Sequence, residues 1–508
     1  MADFLLGDSA SFTQNSTEVR SVQHYPIFSP YFQDTWKFNR RLTLTFGIRY
    51  LWSPVPTFKN PVSNLIPSRF NPANAPIVNP DGTITPGPTY DPLNGLVIGG
   101  VTPGFPANYS NAHNNNWNPT FGFAYDVFGD GKTSIRGGFG ITHYNFFYAS
   151  CSSQCPLNYP ATVPVTLIDP PFPSPTGAQV APPTVPPIHI QDQNFKEAQI
   201  STYSLSVEHE FARGWIASIA GAGDVLFHAT INGDANQPRP QGGFDFNPLI
   251  NTGTVSRYAF GEPFPGYGQL QDVISPAKNS WNALELNLRH YLSRSFFLSA
   301  AYTFQKGYSP IRDPMITSSY GSVQDFYHVN NDNGPSGVTP YHVFSLSAVW
   351  SLPWYVQASG VKRAFLGGWQ FSDVTAIQGG FPLDPGLATA TPGLATRPDH
   401  VPGQSILGPK TVNEWFNTSA FAAPAPGFFG NARTGSITGP GTISFDMALY
   451  KDFNIGERAK VQFRSEFFNI FNHTNFANVS TAFGSGNFGQ VTSARDPRIL
   501  ELALRFQF

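Results

Sequence analysis

Hydrophobic and polar residues alternate with a period of two over many short stretches of the chain, the spacing that puts one set of side chains on each face of a β-strand. In LTLTFGIRY, Leu42, Leu44, Phe46, Ile48 and Tyr50 share one face while Thr43, Thr45, Gly47 and Arg49 share the other. LELNLRHYL sets Leu284, Leu286 and Leu288 against Glu285, Asn287 and Arg289, and FSLSAVWSL sets Phe344, Leu346, Ala348, Trp350 and Leu352 against Ser345 and Ser347. Phe445, Met447 and Leu449, then Val461 and Phe463, repeat it near the end. The pattern predicts thirteen strands, near 25–36, 41–51, 119–128, 133–147, 199–211, 214–227, 280–291, 295–305, 341–352, 368–378, 442–453, 459–471 and 498–508.

Connection lengths say more about the fold, because a soluble sandwich alternates too. Short candidates at 37–41, 128–132, 211–214, 291–295 and 454–458 interleave with long segments rich in Pro, Gly and Asn at roughly 53–118, 149–198, 228–279, 307–339 and 379–440. Short turns on one side and long loops on the other are the habit of outer-membrane barrels. The connection 353–367 is longer than a tight turn and fits the alternation less well.

Composition points the same way. Charged residues make 12% of the chain, about half the usual share of a soluble domain, and aromatics make 15%. No apolar run is long enough for a membrane-spanning helix, so an apolar exterior requires a closed barrel, in which strands bond one another's backbone. The net charge of −2 provides no basic field, which excludes nucleic acid as the expected partner. MADFLLGDSASFTQ has neither the basic start nor the apolar core of a signal peptide, as expected of a chain missing its beginning. With last and first strands both running toward the periplasm, the odd strand count fits a C-terminal portion of a longer barrel.

Little of the sequence suggests chemistry. GDGK at 129–132 lacks the spacing of a phosphate loop and reads as a hairpin turn. RGGFG at 136–140 opens no helix and reads as a relief of curvature within a strand. Eleven histidines occur without an HExxH. NAHNNNW at 111–117 and NNDNG at 330–334 could offer calcium oxygens but fit turns better. Neither an enzyme nor a cofactor is expected. The pair Cys151 and Cys155 reads as a small disulfide, since a metal pair would want histidines at ligand spacing.

Aromatics near strand ends, Tyr31, Trp36, Tyr50 and Trp52, suit interfacial girdles, whereas Tyr90, Trp117 and Trp415 in the long loops could stack on a flat ligand such as a sugar. The charged residues expected inside the barrel are Arg49, Glu285, Arg289, Arg464, Glu466 and Arg505. Their expected role is to bond neighbours across the wall or a plug. The last strand places Leu500, Leu502, Leu504, Phe506 and Phe508 on one face and ends on a ring, like the signal read by outer-membrane assembly machinery.

Six segments resemble the Oar-like branch of TonB-dependent receptors: ADFLLG at 2–7, YFQDTWKFNRRLTLTFGIRY at 31–50, SLSVEHEF at 204–211, GPGTISFDMALYKDFNIGER at 439–458, VQFRSEFFNIFNHTNF at 461–476 and FGQVTSARDPRILELALRFQF at 488–508. The resemblance implies an all-β antiparallel transmembrane barrel, of which this chain is the C-terminal part. The whole barrel would have about 22 strands around a plug. Residues 1–23 would be a remnant leading into the barrel at 24–508. It further implies a location in the outer membrane of a Gram-negative bacterium, with lipid and the assembly machinery as partners. The implied activity is import of an unidentified small substrate, whether siderophore, carbohydrate or peptide. No stretch resembles the accessory domain, the plug or the TonB-contacting box, so contact with TonB would run through a region absent from this chain. The alternatives are a secreted soluble sandwich or propeller that binds glycans, or a plugless barrel without active transport.

Overall fold

The computed structural model describes residues 10–16, 22–55, 57–59, 61–105, 114–144, 155, 158–170, 178–181, 183, 185–192, 195–238, 262–291, 295–310, 323–388, 396–425, 428–455 and 459–508. Thirteen antiparallel strands follow one another through a single sheet. They are β1 (Tyr31–Lys37), β2 (Leu42–Tyr50), β3 (Trp117–Asp126), β4 (Thr133–Tyr144), β5 (Ala198–Ala212), β6 (Trp215–Asp234), β7 (Leu270–His290), β8 (Phe296–Ser309), β9 (His342–Ser351), β10 (Trp369–Gln378), β11 (Thr442–Ile455), β12 (Ala459–Phe468) and β13 (Ile499–Gln507). These are the thirteen predicted strands in the predicted order. Among the described residues β1 pairs with β2 alone and β13 with β12 alone, so both edges of the sheet are open.

The register separates two faces, since directly opposed residues point the same way. One row runs Leu42, Tyr125, Ile135, Val207, Ile219, Leu286, Tyr302, Phe344, Ile377, Ile443 across ten strands. The neighbouring row runs Thr43, Ala124, Arg136, Ser206, Ala220, Glu285, Thr303, Val343, Gln378, Thr442 on the other face. The apolar face is not covered by a second layer: Leu205, Leu284 and Leu286 on it are exposed. A soluble sandwich would bury that face against another sheet. Here its solvent is lipid.

Connections alternate between the two ends. Those at 38–41, 127–132, 213–214, 291–295 and 456–458 are short, and those at 51–116, 145–197, 235–269, 310–341, 379–441 and 469–498 are long. The hairpin at GDGK is closed by Asp126, whose carboxylate accepts from Gly129 N–H at 2.8 Å and Gly131 N–H at 3.0 Å, both glycines at positive φ. Those amides are filled by a carboxylate and cannot cradle a phosphate. The misfit at 353–367 has a cause: it contains α1 (Gly360–Leu366), a short helix at the short-turn end.

Two strands run further than their alternation predicts. β6 and β7 stay paired as far as Asp234 and Gln271, past register shifts near Ala229. Pro276 and Gly233 break the apolar pattern in this stretch, and the extension is held instead by Ile188–Gln191 adding a parallel strand to Leu270–Val273. At the other extreme β1 begins at Tyr31 rather than near 25, because Pro26 and Pro30 cannot donate to a ladder. The segment expected to lead into the barrel forms a strand, Ser11–Asn15, on Pro164–Ile168 of the second long loop.

The buried hydrophobic clusters lie mainly among the long loops and the extended β6–β7 hairpin. They gather Val62, Val97 and Phe105; Leu65, Ile188 and Leu270; Ile231, Ala277 and Val329; and Phe416, Phe421 and Ile437. Loops of this length therefore form a packed outer layer with a core of its own.

Candidate binding site in the outer loops

The outer layer holds a cavity of about 520 Å³ where its first three long loops meet. Its wall is mostly apolar, and Tyr90, Asp91, Asn94, Tyr159, Thr166 and Tyr267 give it its polar groups. Asn94 brings in the first loop: its side chain accepts from Asn71 N–H at 2.9 Å and donates to Asn71 carbonyl at 2.8 Å. Tyr267 comes from the third loop, and its hydroxyl donates to Asn94 carbonyl at 2.8 Å. Asn236, fully buried, fixes that third loop by donating to the carbonyls of Tyr267 and Gly268 at 2.9 and 3.0 Å. Tyr159 comes from the second loop, its carbonyl accepting from Ser63 Oγ at 2.7 Å.

Gly266, at φ +97°, closes the wall against Pro76, where an added Cβ would stand 2.4 Å from the ring. Only glycine takes that backbone conformation and that distance together. Burial raises the pKa of all three tyrosines, and Asp91 nearby adds to the rise at each. Three phenol hydroxyls and one carboxylate share the cavity. Leu93 N–H, at 2.9 Å, holds one carboxylate oxygen of Asp91.

A second polar cluster ties the remaining loops. Arg397 donates to Asp332 Oδ1 at 2.6 Å with both side chains buried. Gln324 donates to Gly430 carbonyl at 2.9 Å and accepts from the amides of Thr396 and Arg397. Gln237 donates to Gln324 carbonyl at 2.7 Å, joining the third loop to the fourth and fifth. Asp332 lies in NNDNG, whose oxygens therefore serve packing. At the seam between wall and outer layer, Asn116 Nδ2 donates to Glu197 at 2.7 Å, and the Tyr25 hydroxyl lies 2.5 Å from Ser53 Oγ. Burial pushes the Glu197 carboxyl up to about 7. No group of His, Cys, Asp and Glu able to hold a metal occurs among the described residues.

All six charged residues expected in the barrel interior lie on the polar face of the sheet. Arg49 Nε donates to Ser29 Oγ at 2.6 Å. Glu285 sits in the polar row opposite Ala220 and Thr303. Arg289 reaches across β6 to Glu208 on β5 at 3.1 Å. Arg464 donates to Glu466 at 2.7 Å, Tyr450 hydroxyl donates to the same carboxylate at 2.9 Å, and Arg464 lies over the Tyr450 ring. Arg505 faces Gln462 at the open edge. Leu500, Leu502, Leu504 and Phe506 lie on the apolar face of β13, and Phe508 projects beyond it. Cys151 lies outside the described residues, whereas Cys155 is buried in the cluster with Val62 and Val97.

Of the three rings offered as ligand contacts, Tyr90 lines the cavity. Trp117, half-exposed, lies against Tyr50 at a strand end with the rings tilted and 4.6 Å between centroids, and Trp415 donates to Thr438 carbonyl at 2.8 Å; neither lines the cavity. Rings also gather at the short-turn end, where Trp36 meets Phe38, Phe211 meets Trp215 and Trp350 meets Trp354. Sequence reasoning missed Asp91, Tyr159 and Tyr267. A local signal existed in the density of prolines around 160–187 with Tyr159 at its start, though it gave no ligand geometry.

The chain belongs to the outer membrane beta barrel domain family, whose model matches residues 1–501. It is a protein of the bacterial outer membrane. No curated protein matches it. Among solved structures it is similar to the ferripyoverdine receptor of Pseudomonas aeruginosa, at 10% identity and a TM-score of 0.42, covering 97% of this chain and 40% of that one. The outer membrane transporter YddB of Escherichia coli matches at 8% identity and a TM-score of 0.42, covering 96% of this chain and 54% of that one. The siderophore receptor PirA of Acinetobacter baumannii matches at 10% identity and a TM-score of 0.43, covering 95% and 46%. The chain therefore spans about half the length of these proteins or less.

Proposed function

We propose that this chain is the C-terminal portion of the barrel of an Oar-like TonB-dependent receptor, which captures a small substrate in its outer loops and imports it. The observation that carries the reading is the division of labour in one sheet. Thirteen strands present a continuous apolar face to lipid, short turns gather at one end, and the long loops at the other fold into a layer with a cavity. The open edges at β1 and β13 support a larger closed barrel, since an unpaired ladder cannot remain in lipid. Residues 24–508 would form this barrel portion, led into by 1–23. The polar face would line the lumen, with Arg49, Glu285, Arg289, Arg464, Glu466 and Arg505 bonding the wall or a plug. Leu500, Leu502, Leu504, Phe506 and Phe508 would serve the assembly machinery, and Cys151 with Cys155 would staple the second loop. Six segments carry the resemblance to the Oar-like branch, and the substrate class within it is undetermined.

The test is to sequence upstream of the Met1 codon, then delete the resulting full gene and follow uptake. An in-frame signal peptide, accessory domain and plug, with uptake that needs TonB, is the expected result. An in-frame stop just upstream overturns the transporter reading and leaves a plugless barrel.

A further inference from the structure

We propose that the cavity bounded by Tyr90, Asp91, Tyr159 and Tyr267 is a binding site for an organic cation, a protonated or quaternary amine carried on an apolar body. The inference rests on the reading that the outer loops capture substrate, and it narrows the class of substrate. Three features of the cavity support it.

Charge comes first. Among the described residues of the lining, Asp91 is the one formally charged, and none is Lys, Arg or His. An anionic ligand would meet a carboxylate with no counter-charge, while a cation would find its partner there. Second, the three tyrosines are neutral phenols at physiological pH, and burial together with Asp91 raises their pKa still further above it. Neutral phenol rings and their oxygens favour a positive charge beside them. Tyr267 spends its hydroxyl proton on Asn94, so its oxygen turns electron-rich lone pairs toward its surroundings. Third, apart from Asn94, Thr166 and Gly266 the rest of the wall is Pro, Val, Ile and Ala, with Pro164, Pro183, Pro186 and Pro265 among them, and the Asn94 side chain is already bonded to Asn71. Such a wall offers rigid apolar area and few hydrogen bonds, which suits an alkyl or aryl body better than a sugar, whose hydroxyls would lose water without replacement. The volume, about 520 Å³, admits a molecule of drug size.

The experiment uses the full-length protein, as its gene encodes it from its own start codon, folded in uncharged detergent micelles. Benzyltrimethylammonium serves as the cation, N-benzylacetamide as a neutral molecule of similar size and 3-phenylpropanoate as the anion, each titrated by ligand-observed NMR. The expected result is saturable binding of the cation with a millimolar or tighter dissociation constant, about tenfold or more tighter than the anion. Asp91→Asn is expected to weaken the cation about tenfold and to leave the neutral molecule unchanged. Gly266→Ala, which drives a Cβ into Pro76, is expected to weaken the cation and the neutral molecule alike. No saturable binding of the cation, equal binding of the anion, or an Asp91→Asn variant that binds the cation as tightly as before would each overturn the proposal. Heat-modifiable migration of the same samples reports the folded barrel separately. A folded barrel that ignores the cation removes the site and leaves the receptor reading standing, whereas a full-length protein that never inserts strikes the receptor reading itself.

Discussion

The wall and the outer layer of this protein obey opposite rules. On the wall, Leu205, Leu502 and Leu504 are 55%, 65% and 63% exposed, whereas in the outer layer Val62, Ile188 and Ile437 are fully buried. The difference is the solvent: lipid accepts an apolar side chain at no cost, and water does not. Backbone polarity is handled differently too. The wall satisfies its amides in a ladder, while the loops recruit side-chain amides. Asn236 serves the turn at Phe264, Tyr267 and Gly268, Asn158 bonds both Ser63 and His189, and Asn475 bonds both N–H and carbonyl of Ile443. An irregular layer this large is stable because each such side chain replaces a missing strand.

Substitutions that exploit those opposite rules should damage one region and spare the other. The largest effect is expected from Asp332→Ala, which leaves Arg397 buried, charged and unpaired. Removing one partner of such a pair costs about 3–5 kcal/mol. Limited proteolysis should then cleave the outer loops while the heat-modifiable migration of the barrel persists; loss of both together would mean that wall and layer form one cooperative unit. Next is Leu286→Arg, a change at an already exposed position that would be mild in a soluble protein. Facing lipid, it costs about 2–4 kcal/mol at the bilayer midplane and less toward the interfaces. Insertion into vesicles should fall while detergent-solubilised outer loops keep their protease resistance.

The wall was legible in the sequence and the layer was not, for a physical reason. Strand side chains repeat every two residues, so LELNLRHYL announces its two faces locally, and short turns announce the end they lie at. In the layer the contacts are non-local: Tyr267 meets Asn94 and Gln324 meets Gly430, pairs far apart in the chain with no period linking them. The extended tip of β6 and β7 shows the boundary between the two regimes. Its register shifts scramble the alternation, and Ile188–Gln191, a segment of another loop, completes the pairing. Tyr90 was visible as a loop ring, but its partners in the cavity come from two other loops.

A pH scan sharpens the comparison further, because Glu197 belongs to the seam. Its folded pKa, about 7, lies above the unfolded value of 4.5, so the folded state holds the proton more tightly. Stability is fully present below the unfolded value and is lost as pH rises toward 7, with a slope of at most about 1.4 kcal/mol per pH unit. The outer layer should therefore melt at lower temperature at pH 7.5 than at pH 5. Glu197→Gln, which keeps an acceptor for Asn116, should flatten that dependence; an unchanged slope in the variant assigns the titration elsewhere.

The smallest effect on stability is expected at the terminal ring. Phe508 is 106% exposed and lies past the last ladder partner, Gln507, so removing it deletes no packing. Deleting Phe508, or replacing it with Asp, should change the unfolding free energy by less than about 0.5 kcal/mol, as for surface positions generally. Its expected consequence is kinetic. If the amphipathic end of β13 is what the assembly machinery reads, the variant should be synthesised normally yet accumulate outside the outer membrane, even though the same purified chain refolds into micelles as well as the parent. A residue that contributes to neither lipid contact nor loop packing would then be retained for delivery alone. Normal insertion of the variant in cells would return β13 to the status of an ordinary wall strand.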